Sequence, residues 1–190
     1  MGRIVVTEFI SLDGVMEAPG GEEFRHKGWS FEFDRGAEGN QFKLDETMSS
    51  EALLLGRVTY EGFAASWPSR EGEFADMFNT MPKYVVSSTL ESADWTNSTI
   101  LLGDVVDEVT TLRRELDGNI VVHGSATLVQ TLVEHDLVDE IRLMVFPVVL
   151  GIGKRLFGET SDMKRLRLVD TKVVGEGVAI LVFQPASDAG

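Results

Sequence analysis

Ile120-Val121-Val122-His123-Gly124-Ser125-Ala126-Thr127-Leu128 is the stretch that decides how this chain reads. Three β-branched residues favour a buried strand, Gly124 and Ser125 stop it, and Leu128, Val129, Leu132 and Val133 follow at helical spacing. A strand that ends on small residues and feeds a helix points unpaired backbone N–H groups and the positive end of the helix dipole at one spot. That arrangement suits a phosphate. Two further stretches close an apolar run in the same way: Leu53-Leu54-Leu55-Gly56-Arg57-Val58-Thr59-Tyr60-Glu61 and Tyr84-Val85-Val86-Ser87-Ser88-Thr89. Three such ends suggest a nucleotide. Taken singly, Gly56 and Gly124 read equally well as turn residues, Arg57 as a surface cation, and Ser87, Ser88 and Ser125 as edge or capping serines. Their order gives them a division of labour. Arg57 with Ser87 and Ser88 supplies a permanent cation and two hydroxyls for a phosphate dianion, while Gly124 to Leu128 supplies a helix start for a pyrophosphate, a pattern that fits NADPH better than NADH.

Working outward, Arg3 to Ile10 reads as a buried strand, and Gly14 to about Gly39 as a long loop rich in glycine and aromatics, including Pro19-Gly20-Gly21. A helix is expected from about Glu38 to Ser50, a strand over Ala52 to Leu55, helices over Thr59 to Ala65 and Glu73 to Thr80, and a strand over Lys83 to Ser87. Val105, Val109, Leu112 and Leu116 recur at helical spacing, with Asp104, Asp107 and Glu108 in the first turn and Arg113 and Arg114 near the end, which complements the helix dipole. Beyond Asp139 the rhythm changes to strands: Glu140 to Phe146, Leu166 to Val174 and Val178 to Gln184, the last two joined at Gly175-Glu176-Gly177. Alternating strands and helices followed by antiparallel strands predict a three-layer α/β domain with a mixed, mostly parallel sheet, in which ligands collect beyond the carboxyl ends of the parallel strands.

With 190 residues, 43% of them apolar, the chain suits one domain over residues 1–184, and Pro185 to Gly190 reads as a flexible tail. A net charge of -14 argues against nucleic acid or an anionic membrane as the main partner, although a local cationic pocket can still take an anionic cofactor. The sequence has no cysteine, and its three histidines, His26, His123 and His135, lie far apart, so no metal site is expected. Without a leader or an 18-residue apolar run, a cytoplasmic location is expected.

The succession Ser11-Leu12-Asp13-Gly14-Val15, Leu55-Gly56-Arg57-Val58-Thr59-Tyr60-Glu61, Val86-Ser87-Ser88, Val122-His123-Gly124-Ser125 and Pro147-Val148-Val149-Leu150-Gly151-Ile152-Gly153-Lys154-Arg155-Leu156-Phe157 resembles the dihydrofolate reductase-like superfamily. The last run is specific to its branch containing the RibD C-terminal reductase domain of riboflavin biosynthesis. The resemblance implies a dihydrofolate reductase-like fold and hydride transfer from NADPH to a small heterocyclic or ribosylamino-pyrimidine substrate, as in a 5-amino-6-(5-phosphoribosylamino)uracil reductase. By the same resemblance, Gly14 and Val15 bring main chain against the nicotinamide. Gly56, Arg57 and Thr59 meet the phosphates, Ser87 and Ser88 the 2′-phosphate and adenosine, and Gly124, Ser125, Ala126, Thr127 and Leu128 the pyrophosphate. A homodimer is also implied. Substrate-side candidates are Asp13, His123 and the loop with Trp29 and Phe31. The carboxylate that dihydrofolate reductases carry on the helix before the second strand falls near Asn40, with Glu38 and Asp45 as approximate neighbours, which argues against dihydrofolate as substrate. A non-catalytic ligand-binding protein, a flavin or deazaflavin enzyme and a dihydrofolate-reducing relative are the alternatives.

Overall fold

The computed structural model describes residues 1–20 and 23–186. Eight strands form one sheet in the order β4-β3-β2-β5-β1-β6-β8-β7. The parallel part comprises β1 (Arg3–Ser11), β2 (Ser50–Gly56), β3 (Lys83–Val86), β4 (Ser98–Leu101), β5 (Asn119–Val122) and β6 (Glu140–Phe146). The antiparallel part adds β7 (Leu166–Val174) and β8 (Val178–Pro185), with β8 paired to β6 and β7 outermost. The mixed sheet read from the sequence is therefore the one observed.

The helices α1 (Gly36–Met48), α2 (Arg57–Ser66), α3 (Glu73–Thr80), α4 (Val105–Glu115) and α5 (Ala126–Glu134) cover the two faces. Alternation along each strand sorts them. Val5 of β1, with Leu53, Leu55, Val85 and Val121, packs on Tyr60 of α2 and Phe78 of α3. Ile4, Val6 and Ile10, with Leu54, Ile120 and Val122, pack on Val109 and Leu112 of α4 and Leu128, Val129 and Leu132 of α5. Each such fully buried aliphatic side chain stabilises the fold by about 1.5–3 kcal/mol relative to exposure. The start of α4 follows its sequence signal: Asp104 caps it, Oδ1 accepting from the Val106 and Asp107 N–H groups at 2.9 and 3.2 Å.

Three features differ from the sequence reading. Strand β4, Ser-Thr-Ile-Leu, was not anticipated, because four residues at a sheet edge carry little apolar signal and gain their order from pairing with β3. The segment between β1 and α1 holds a 3₁₀ turn (Trp29–Glu32) and is pinned by aromatic packing: Trp29, only 2% exposed, meets Phe146 edge-on at 5.4 Å and donates its indole N–H to the Glu17 carbonyl at 2.8 Å. At the other end of the chain, Pro185 closes β8 and the Ala186 N–H donates to the Arg165 carbonyl at 2.9 Å. The rest of the expected tail, residues 187–190, lies outside the described residues, as do residues 21–22 of the loop.

Candidate functional site

The sheet opens between β1 and β5. These two strands pair only from Arg3↔Asn119 to Val6↔Val122, whereas β1 stays paired to β6 as far as Ser11↔Phe146. Thr7 to Ser11 are thus held from one side, and the chain after Val122 turns away into α5. The result is a split at the carboxyl ends of the two central strands, the place where ligands enter sheets of this kind.

Several of the sequence candidates converge on this split. The Gly56 N–H donates to the Gly124 carbonyl at 3.1 Å. A Cβ on Gly56 would fall on Ser125 Oγ, and one on Gly124 would sit 2.9 Å from Thr59 Oγ1. Gly124 also has φ +103°, a backbone conformation that glycine adopts without strain, and its peptide bond to Ser125 is cis. Gly56, Thr59, Gly124 and Ser125 therefore form one packed corner. Ser125 sits at the N-cap of α5 but turns its hydroxyl toward Gly56; no side-chain cap bonds that helix start among the described residues. Ala126 and Leu128 are buried through their side chains, so what the first turn offers a ligand is its N–H groups, with Thr127 exposed beside them.

Other candidates are engaged elsewhere. Arg57 opens α2, half exposed, with its guanidinium 3.2 Å from both carboxylate oxygens of Glu61. An exposed i,i+4 pair of this kind contributes only about 0.3–0.5 kcal/mol, little enough for a phosphate to displace. Ser87 Oγ accepts from the Thr89 and Leu90 N–H groups at 3.2 and 2.9 Å and so shapes the turn after β3, while Ser88 is exposed next to it. Val15 is fully buried, and its N–H and C=O are both bonded to Ser11. Gly14, at φ +81°, faces open space. Asp13 is a brace: it accepts from Ser11 Oγ at 2.6 Å, Leu150 N at 3.1 Å and Gly151 N at 2.9 Å, bonds that hold its carboxyl down at about 2.

Glu38 and Asp45 point away from the split. Glu38 is 67% exposed and pairs with Lys172 at 3.1 Å, and Asp45 is exposed and accepts from Gln41 at 2.7 Å. The buried carboxylate of α1 is instead Glu46, 3% exposed, the residue after Asp45. Thr7 donates to its Oε1 at 3.0 Å, Lys43 pairs with the same oxygen, and Arg142 lies 3.4 Å from Oε2. Burial works to raise the Glu46 pKa, but Lys43 and the neighbouring groups outweigh it and hold it below the ordinary value. His123 faces this cluster and meets Phe63 and Phe78 edge-on at 6.0 and 5.4 Å. Burial, assisted by Lys43, drives its pKa down to about 3, so the imidazole is neutral near pH 7 and cannot serve there as a proton donor in the imidazolium form.

On the opposite face of β1 stands a second buried acid that the sequence alone does not single out. Glu8 is buried at 8% exposure, and its Oε1 has no hydrogen-bond partner among the described residues. Burial pushes its pKa well above the usual carboxylate range, Lys43 opposing and Glu46 adding to the rise. The available signal was a lone charge inside Val-Val-Thr-Glu-Phe-Ile, a strand otherwise dominated by apolar residues.

The model of the RibD C-terminal domain family matches residues 3–180. The chain belongs to that family. It is 30% identical over 187 residues to the uncharacterized protein YyaP of Bacillus subtilis (strain 168), covering 95% of this chain and 94% of YyaP. Among solved structures it superposes on a Shewanella sp. PV-4 protein provisionally described as a riboflavin biosynthesis protein with TM-score 0.80, 19% identity and 97% and 99% of the two chains covered. It also superposes on the dihydrofolate reductase of Enterococcus faecalis complexed with NADP(H) and RAB-propyl, with TM-score 0.64, 15% identity and 97% of each chain covered. At these identities the two structures attest the shared dihydrofolate reductase-like fold. Family membership makes the chain a RibD C-terminal-type domain.

Proposed function

We propose that this RibD-type domain is an NADPH-dependent reductase whose substrate is a small heterocycle or ribosylamino-pyrimidine. The observation that carries the reading is the packed corner of Gly56, Thr59, Gly124 and Ser125 beside the β1–β5 split, with the first turn of α5 left without a side-chain cap among the described residues. A diphosphate fits this corner because the N–H groups of Ala126 to Leu128 lack intrahelical partners and the helix dipole favours an anion. The absence of Cβ atoms at Gly56 and Gly124 lets the α2 and α5 starts close on one another. Arg57 is the cation within the same segment that can leave Glu61 for a 2′-phosphate.

The cofactor would supply the hydride; the protein supplies orientation. On the α1 face, Thr7, Lys43, Glu46 and neutral His123 form a polar wall against which a substrate with several donors and acceptors can be fixed. Both Glu46 oxygens are already engaged by Thr7, Lys43 and Arg142, so the carboxylate is poorly placed to clamp a pterin, and dihydrofolate is expected to be a poor substrate. The reading carries with it a cytoplasmic location. It also includes a homodimer joined through β7, the outermost strand, every residue of which is exposed except Val174. The decisive experiment is titration with NADPH and NADH, followed by NADPH oxidation with dihydrofolate and a ribosylamino-pyrimidine offered side by side. Tighter binding of NADPH and turnover of the pyrimidine support the reading, and failure to bind either nicotinamide cofactor overturns it.

A further inference from the structure

Glu8 is a buried acid in the middle of the sheet whose Oε1 has no partner among the described residues, and the packing around it explains neither fact. The other buried acid near the split, Glu46, has three partners, and the partly exposed Asp13 has four. An orphaned oxygen of this kind costs free energy in the unliganded protein and calls for a cause. Its surroundings supply one. Glu8 lies one residue beyond Thr7 on the α4/α5 face of β1, past the last pairing of β1 with β5, so it stands at the mouth of the split. Its Oε1 is 3.6 Å from the point where a Gly124 Cβ would be, a point that Thr59 Oγ1 and Met16 Cε also border. Gly124 and Thr59 belong to the corner proposed above to hold the diphosphate, so a group beside them lies along the path of the rest of the cofactor.

We propose that the Glu8 carboxyl group binds the carboxamide of the nicotinamide ring as it enters the β1–β5 split, an inference that rests on the reductase reading above. A carboxylic acid presents one O–H donor and one carbonyl acceptor, the complement of an amide edge, which presents one C=O and one N–H. Burial favours that uncharged form of Glu8. The charged groups acting on it are Lys43 and Glu46 of α1, while the turn after β5, α2 and the turn after β1 face it with Gly124, Thr59 and Met16, none of them titratable in the working range, and His123, the residue before Gly124, is neutral. An ionised Glu8 would lose the donor, so the contact weakens as pH rises.

The test uses the whole chain and two probes, NADPH and 2′-phospho-ADP-ribose, which shares every part of NADPH except the nicotinamide. Glu8→Ala should weaken NADPH about tenfold while changing the fragment less than about twofold. Glu8→Gln, which keeps one donor and one acceptor at the same reach, should bind NADPH within about threefold of the wild type near neutral pH, and should keep that affinity at alkaline pH where the wild type loses it relative to the fragment. Glu8→Met, which removes the orphaned polar atom at similar volume, should raise the melting temperature of the unliganded protein while weakening NADPH; a merely structural glutamate would lower it. Unchanged NADPH affinity in Glu8→Ala, or equal losses for NADPH and the fragment, overturns the role of Glu8 alone. Wild-type protein that binds neither probe overturns the reductase reading itself.

Discussion

Arg57 and His123 illustrate how a single residue's role depends on partners that its own sequence neighbourhood does not reveal. Arg57 was read from its place after a strand, yet it rests on Glu61 one turn along α2. If it serves the 2′-phosphate, Arg57→Ala should weaken NADPH about tenfold and leave NADH nearly unchanged, since a hydrogen bond to a charged group contributes about 1.5–3 kcal/mol. Glu61→Ala should do the reverse, tightening NADPH by freeing the guanidinium; both are read by titration of the two cofactors, and equal losses for both in Arg57→Ala would remove the residue from the site. His123 makes a prediction for stability. With its pKa near 3 in the folded protein and about 6.5 unfolded, the unfolded chain takes up the proton first as pH falls. Stability is therefore complete above about pH 6.5 and declines below it, by up to about 2 kcal/mol at about pH 5. Urea unfolding at the two pH values should show that decline in the wild type and a shallower one in His123→Gln, whose amide does not titrate.

At the scale of elements, the start of α5 and the end of β2 are fitted to each other by the absence of two Cβ atoms. Gly124→Val places a β-branched residue at φ +103° and drives its Cβ toward Thr59 Oγ1, so it should cost about 1–3 kcal/mol of stability as well as the diphosphate site. Gly56→Ala has no unfavourable φ, since Gly56 is extended at φ -75°, but its Cβ would fall on Ser125 Oγ. The two variants thus separate causes. Thermal melts should show the larger loss in Gly124→Val, while NADPH titration should show both impaired; full affinity in both would place the cofactor elsewhere. The elements themselves were legible where periodicity was strong, as in α4 and α5 and the central strands. Strand β4 was not, because its order comes from β3 rather than from its own four residues.

At the scale of the whole molecule, β7 is a nine-residue edge strand with Leu166, Leu168, Val169 and Val173 exposed, and Met163 exposed just before it. An uncovered apolar edge is a template for pairing, and the expected cover is a second copy of the chain. Light scattering on the eluting protein should give twice the mass of one chain, and Val173→Lys with Leu168→Lys should reduce it to one; a monomeric wild type would refute the dimer. The fold class was carried by sequence alone, since strand and helix periods follow from which residues must be buried, and Gly56 and Gly124 were legible as the residues that close their strands because each ends an apolar run just before a helix. The interior charges were not legible. Asp45 and Glu46 are adjacent and alike in sequence, and only the rotation of α1 against β1 buries one with Thr7 and Lys43 and leaves the other in water. Likewise the sequence places Glu8 in a strand, but the divergence of β1 from β5 after Val6 is what sets it at the split with its Oε1 unpartnered among the described residues, because strand pairing is decided between segments more than a hundred residues apart.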